Sequence, residues 1–242
     1  MSATEPPPAA RHPEPRMNAQ AAALDSTRLE PAKSPRGWIW WLAGLAGAVA
    51  LIAAATQVDA RVDGWITGVT RPGLDHLAEW LSESAKGQWA LLAGLLALGV
   101  AWRWRPQWKR AVLIFLIGST LAGLSSVVLR GAIGRARPSN TVEQGWFGPY
   151  HNGRWVCTKN AYNSFPSGHT ATAAGCAFAL LVIGNSLGWV LVPWMLAVAW
   201  SRIYFSAHHF SDTLASVIIG FGCAWLARHW YDRWLARRSR PV

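Results

Sequence analysis

The run from Trp38 to Gln57 is 20 residues long and carries no charged side chain. A bilayer's hydrocarbon core takes about 20 such residues to cross as a helix. Inside lipid no water satisfies the backbone, and a helix pairs its N–H and C=O groups internally. Five further apolar segments follow: about Trp89–Trp104, Ala111–Leu129, His169–Ile183, Trp189–Trp200 extended to Tyr204, and Asp212–Leu226. The expected fold class is therefore all-α, a bundle of six transmembrane helices. Composition agrees. Charged residues make up 14% of the chain, against about 25% in globular proteins. The 17 tryptophans suit the headgroup zone, where an apolar ring carries a single N–H donor.

The net charge of +11 could point to nucleic acid, but the basic residues fall in blocks beside apolar segments instead of striping one face. No nucleic-acid partner is expected. Residues 1–36 are rich in Pro, Ala and Arg without apolar periodicity and read as a disordered cytoplasmic tail. A secretory signal peptide has a shorter leading region, so the first helix is expected to stay uncleaved. Residues 37–229 then form the transmembrane domain and 230–242 a basic cytoplasmic tail. Basic blocks in the tail (Arg11, Arg16, Arg28, Lys33, Arg36), the second-to-third connection (Arg103, Arg105, Lys109, Arg110) and the C-terminus (Arg228, Arg233, Arg237, Arg238, Arg240) all lie on the cytoplasmic side if the helix count is even. The outer face then receives residues 58–88, 130–168 and 205–211. In the first of these loops Leu74, Leu77, Trp80 and Leu81 stand at helical spacing after Pro72, which predicts an amphipathic helix lying flat at the interface.

Three polar clusters meet at that outer face. Arg130, Arg135 and Arg137 break the positive-inside pattern, and an anion to bind is a reason for them. Arg130 and Arg137 each present a planar fork of donors matching two phosphate oxygens, and Arg202 supplies a third. Ser167 and Gly168 precede the fourth helix, where backbone N–H groups lack partners and the helix end is positive. His208 and Asp212 are four residues apart, so the carboxylate can meet one imidazole nitrogen and leave the other free to attack phosphorus. His209 stands three residues from Asp212, and spacing alone does not exclude it. His169 offers a second imidazole to protonate the leaving oxygen. No carboxylate cluster suggests a metal, and no CxxC or mixed Cys/His spacing suggests zinc. The expectation is a metal-independent site without a cofactor.

These stretches resemble the type 2 phosphatidic acid phosphatase superfamily, which shares its signature with vanadium haloperoxidases and bacterial acid phosphatases. The family pattern Lys-x6-Arg-Pro appears here as Arg130-x6-Arg137-Pro138, with arginine for lysine. Pro-Ser-Gly-His appears as Pro166 to His169, and Ser-Arg-x5-His-x3-Asp as Ser201-Arg202-x5-His208-x3-Asp212. The resemblance covers about residues 58–229. It implies His208 as nucleophile, Asp212 as its orienter, and His169 as acid. Arg130, Arg137, Ser167, Gly168 and Arg202 form the implied phosphate cradle, and the family pattern favours His208 over His209.

The leading expectation is an integral membrane phosphatase acting on a lipid phosphate at the outer face of a bacterial inner membrane. Phosphatidic acid, phosphatidylglycerol phosphate, undecaprenyl diphosphate and lipid A phosphates all qualify as substrates. The partners implied are the phosphorylated lipid and the bilayer, with no obligatory protein partner. A phosphotransferase using the same intermediate and a non-enzymatic phosphate- or lipid-binding membrane protein are the competing readings. Transport is disfavoured because the segments are nearly free of charge in mid-span, and a soluble haloperoxidase fits so hydrophobic a chain poorly. The aromatic loop with Trp146, Phe147, Tyr150, Trp155, Tyr162 and Phe165 reads as an aromatic belt or as a lid over a lipid headgroup.

Overall fold

A computed structural model describes residues 37–69, 72–139 and 142–239. The expected disordered tail, its basic residues and Arg240 lie outside the described residues. Eight α-helices account for most of the described chain: α1 Gly37–Thr56, α2 Asp59–Thr67, α3 Pro72–Ser84, α4 Gly87–Arg103, α5 Lys109–Ile133, α6 Gly168–Leu181, α7 Leu187–Tyr204 and α8 Phe210–Arg238. One hairpin, β1 Tyr150–His151 and β2 Arg154–Trp155, interrupts the all-α pattern. Asn152 and Gly153 between its strands both have positive φ, the backbone of a tight two-residue turn.

The chain divides into a unit ending at Leu45 and one beginning at Ala46. Of the first, the described part is the opening of α1, whose Trp38, Trp40 and Trp41 are exposed. The second holds the remaining elements. Among the described residues four stretches are long and apolar enough to cross a membrane: Trp38–Thr56, Pro106–Ile133, Leu187–Tyr204 and Phe210–Arg238. The pair α3–α4, bent by 54°, makes a fifth if it is one broken span. The 14 residues of α6 reach only about 21 Å, short of a full crossing on their own. Exposed Leu95, Leu96, Val127, Val128, Trp189 and Val190 form an exterior that suits lipid.

Within the second unit α6 is the hub, packed against α5, α7 and α8, while α5 also meets α4 and α8. Its sequence explains the position. Thr170, Ala171, Thr172, Ala173, Ala174, Gly175, Cys176, Ala177 and Ala179 are all buried, and small side chains let helix backbones approach closely. Gly220 of α8 shows how closely: a Cβ there would stand 2.4 Å from Ala174 Cβ. Helices α5 to α8 alternate in direction, so the C-termini of α5 and α7 share one end with the N-termini of α6 and α8. Arg110 of α5 pairs with Asp232 of α8 at 2.9 Å at the other end. The helix α8 continues through residue 229 without a break to Arg238.

Residues 58–88 are more structured than a single surface helix. The α2 helix packs on α7 and α8, and α3 packs on α7. Tyr204 donates to Asp75 Oδ1 at 2.5 Å, and Trp194 Nε1 donates to Ser84 Oγ at 2.9 Å. After α5 the chain turns at Gly134, whose φ is +60° and where a Cβ would sit 1.8 Å from Gly148 O. Only glycine fits there. That turn allows Phe147 N and Gly148 N to donate to Gly134 O and Ile133 O at 3.1 and 3.0 Å, so the aromatic loop folds back over the end of α5.

Candidate active site

The residues expected from the sequence gather at the end of the second unit where α5 and α7 finish and α6 and α8 begin. Arg130, in the last turn of α5, donates from Nε to Ser126 O at 3.2 Å. Its guanidinium lies against α6, since a Cβ on Gly168 would stand 3.1 Å from Arg130 Nη2. Arg137 is held in the following loop, with its backbone N–H on Ala161 O at 2.8 Å and Nη2 on Asn163 O at 3.5 Å. Arg202, in the last turn of α7, donates from Nη1 to Ser82 Oγ of α3 at 2.5 Å. Arg137 Nε and Arg202 Nε are buried without a hydrogen-bond partner among the described residues. Buried polar groups are nearly always paired, so two orphaned guanidinium donors call for an anionic acceptor. Ser201 does not contribute, because its hydroxyl is spent on Val198 O of its own helix at 2.7 Å.

His208 is 1% exposed, and its Nδ1 is 2.6 Å from Ser164 O. A carbonyl oxygen can only accept, so Nδ1 carries the proton and Nε2 keeps its lone pair. Burial, with the charges of Arg202 and Arg137 next in size, pushes the His208 pKa well below its ordinary value. The ring is therefore neutral at physiological pH, with the lone pair of Nε2 unprotonated. Burial likewise lowers the pKa of Arg137, helped by the like charge of Arg130. Crowded cations of this kind favour an incoming anion.

The expected carboxylate–imidazole hydrogen bond does not form, since Asp212 Oδ2 is 3.8 Å from His208 Nδ1, beyond hydrogen-bond length. Ser164 stands between them. Its hydroxyl donates to Asp212 Oδ2 at 2.5 Å while its carbonyl accepts from His208. Asp212 Oδ2 also accepts the backbone N–H of His209 at 2.9 Å, an N-terminal cap on α8, and Oδ1 accepts from Arg135. One serine thus links the carboxylate to the imidazole. The expected free N–H of Ser167 is directed at Asp212 O at 3.5 Å, leaving Gly168 at the head of α6 as the better backbone donor. Ser167 Oγ accepts from Thr170 Oγ1 at 3.0 Å.

Four further residues complete the site's frame. Arg135 is 7% exposed and bridges two carboxylates, with Nη2 on Asp59 Oδ2 at 2.7 Å and Nη1 on Asp212 and on Ser211 Oγ. Asp59 also accepts Ser211 N at 2.8 Å and Ser211 Oγ at 2.6 Å. One helical turn on, Asp63 accepts from His209 Nδ1 at 2.7 Å and from Phe210 N at 3.2 Å. His209 is therefore turned toward α2, while His208 faces the arginines. Helix α2 thus fixes the start of α8.

The family model for the PAP2 superfamily matches residues 111–236, the stretch that carries all three clusters. The chain belongs to the PAP2 superfamily. Among curated proteins it is 32% identical over 125 residues to a lipid A 1-phosphatase of Rhizobium johnstonii, covering 50% of this chain and 46% of that protein. It is 40% identical over 62 residues to the undecaprenyl-diphosphatase BcrC of Bacillus subtilis, covering 24% of this chain and 32% of that one. The matched stretch thus spans less than half the length of either relative. A crystal structure of a transmembrane PAP2-type phosphatidylglycerolphosphate phosphatase from Bacillus subtilis superimposes with a TM-score of 0.60 at 18% identity, over 79% of this chain and 96% of that one. The shared fold with that PAP2 protein reaches back into the helices before residue 111, beyond the stretch that carries the family signature.

Alongside these residues a cavity of about 430 Å³ opens between α4, α5 and α6. Arg130, Lys86, Gly168 and His169 line it together with the apolar Leu91 and Leu124. A cavity with both charged and apolar lining suits an amphiphile.

Proposed function

We propose that this PAP2 protein is an integral membrane phosphatase that hydrolyses a lipid phosphate monoester or diphosphate through a phosphohistidine on His208. The observation that carries the reading is the pairing of a pinned, neutral His208 with two buried guanidiniums whose Nε donors lack partners. Arg130, Arg137, Arg202 and the backbone N–H of Gly168 bind the equatorial phosphoryl oxygens, where charge spreads in the transition state. His208 Nε2 attacks phosphorus as the bond to the leaving oxygen breaks, and His169 protonates that oxygen. Water then attacks the phosphohistidine, with His169 accepting its proton. Asp212 orients His208 through Ser164. Positive charge comes from arginines fixed by the fold, so the chemistry needs no metal.

In this reading α6 completes a bundle of six membrane helices with α1, α4, α5, α7 and α8, and α3 lies at the interface. Both termini face the cytoplasm of a bacterial cell, and the site opens at the outer face of the inner membrane. The substrate is a phosphorylated lipid already in the bilayer. The names of the curated relatives support lipid A phosphates and undecaprenyl diphosphate as candidates, alongside phosphatidic acid and phosphatidylglycerol phosphate. Purified protein in mixed micelles, given each lipid without an acceptor, should release inorganic phosphate and form an acid-labile phosphoprotein that His208→Ala lacks. Transfer to a second lipid with no free phosphate would identify a phosphotransferase instead. Absence of both sinks the catalytic reading.

A further inference from the structure

His169 lines the 430 Å³ cavity, whereas His208 and Asp212 do not. In the proposed reaction His208 attacks phosphorus from one side and the leaving oxygen departs on the other, toward His169. The cavity therefore receives the leaving group. Its apolar wall of Leu91, Leu124 and Val127 accounts for a hydrocarbon portion. Lys86 is unaccounted for. It sits between α3 and α4, where the pair bends by 54°, and lines the same cavity as Arg130 and His169. Its ammonium pairs with Glu83 at 2.6 Å, with each side chain 48% exposed. Such a pair contributes little to stability, and lysine's flexible stem lets the ammonium exchange one anion for another.

We propose that Lys86 is an anion subsite for the leaving group, selecting lipids whose leaving group carries a phosphate or phosphodiester charge of its own. This rests on the phosphatase reading above. In a diphosphate the bridging P–O bond breaks as His208 Nε2 bonds to the terminal phosphorus. The bridging oxygen keeps the electron pair, and the lipid monophosphate leaves with its charge met by Lys86. A neutral alcohol leaving group gains nothing from that ammonium. Two lipid chemistries share the required feature, a polyprenyl diphosphate and a glycerophospholipid bearing a terminal phosphate on a phosphodiester headgroup.

The test compares substrate pairs with a common tail: farnesyl diphosphate against farnesyl monophosphate, and phosphatidylglycerol phosphate against phosphatidic acid. The readout is the ratio of kcat/KM within each pair, in which any inactive fraction of a variant cancels. Lys86→Met should lower the ratio about tenfold in the pair that matches the natural leaving group, as expected for one charge-assisted contact at a half-exposed site. Lys86→Arg should retain the ratio, and Glu83→Gln should raise it by releasing the ammonium. The pair whose ratio moves identifies the chemical class. Ratios held within about twofold in both pairs for Lys86→Met would overturn the subsite while leaving the phosphatase intact. No phosphate release by the unmodified protein from any of the four lipids or from a lipid A phosphate would overturn the phosphatase reading and the subsite with it. Release from the lipid A phosphate alone would overturn the subsite only.

Discussion

Asp59 and Arg135 face each other at 2.7 Å with side chains 7% and 8% exposed, so Asp59→Asn removes one charge from a dry ion pair while keeping its shape. The asparagine oxygen can still accept from Ser211, but its NH2 is turned toward Arg135 Nη2, donor against donor. Arg135 retains Asp212 and Ser211 and the face of Trp146 at 4.4 Å. The loss therefore falls at the lower end for stripping one partner from a buried pair, about 3 kcal/mol. For a chain of this size that lowers the apparent Tm by roughly 6–12 °C. Arg135→Gln leaves Asp59 and Asp212 without their shared cation and costs about 3–5 kcal/mol. The double variant places two amides where the ion pair stood, so its loss should undershoot the sum of the single losses by about 2 kcal/mol. Thermal unfolding followed by circular dichroism, in one detergent at one scan rate, measures all four proteins. Single losses that add to within about 0.5 kcal/mol would refute the claim that this pair is a coupled strut under α8.

His208→Ala should abolish turnover and the phosphoprotein, and His169→Ala should slow turnover by about 10²–10⁴-fold. His209→Ala should lower stability by releasing Asp63 with little loss of kcat, and equal loss at the two neighbouring histidines would exchange their roles. Because burial and the flanking arginines depress the His208 pKa from its ordinary 6.5, the acid limb of kcat/KM should lie below pH 6.5. Arg137→Gln removes one of those charges and should move the limb upward. The same depression means that the stability His208 contributes is complete above pH 6.5 and falls away below it, where the unfolded chain takes up a proton first. Vanadate, which adopts the five-coordinate geometry of the transition state, should inhibit phosphate release, whereas chelators should leave it unchanged. Trp146→Ala uncovers Arg135 and Phe165, so a lid predicts altered lipid preference with a small soluble ester spared, and equal loss on both substrate types argues for a structural role.

The parts of the site that were legible in the sequence are those whose chemistry is written in residue type and local spacing. An arginine at the end of an apolar helix, a Ser-Gly pair before the next, and a histidine one turn before a carboxylate each point to an anion on their own. Antiparallel helix order then brings them to one end. Asp59, Asp63 and Ser164 escaped because their partners are far away in the chain. Asp59 meets Arg135 across 76 residues and Ser211 across 152, and no local periodicity encodes either contact. Arg135 stood out only as a violation of the charge rule, a signal that says an anion is near without saying whose. The hairpin did leave a trace in its Asn152–Gly153 pair, hidden among aromatic residues that read equally well as a belt.

The histidine pair shows what structure adds to spacing. Three and four residues before the carboxylate, His209 and His208 were both within reach on a helix, and the geometry gives neither ring a hydrogen bond to the Asp212 carboxylate. Asp63 takes the His209 ring, and Ser164 takes the His208 ring. Asp212 instead gathers the groups that hold the rings: the Ser164 hydroxyl, the His209 backbone and Arg135. A carboxylate so placed can fix the tautomer of a nucleophile without touching it. On that basis Ser164→Ala, which keeps the carbonyl on His208 but drops the hydroxyl from Asp212, should cut kcat far less than Asp212→Asn. The carbonyl alone still holds Nδ1 protonated, whereas loss of the carboxylate charge takes one of the two carboxylates from Arg135 and loosens the whole start of α8.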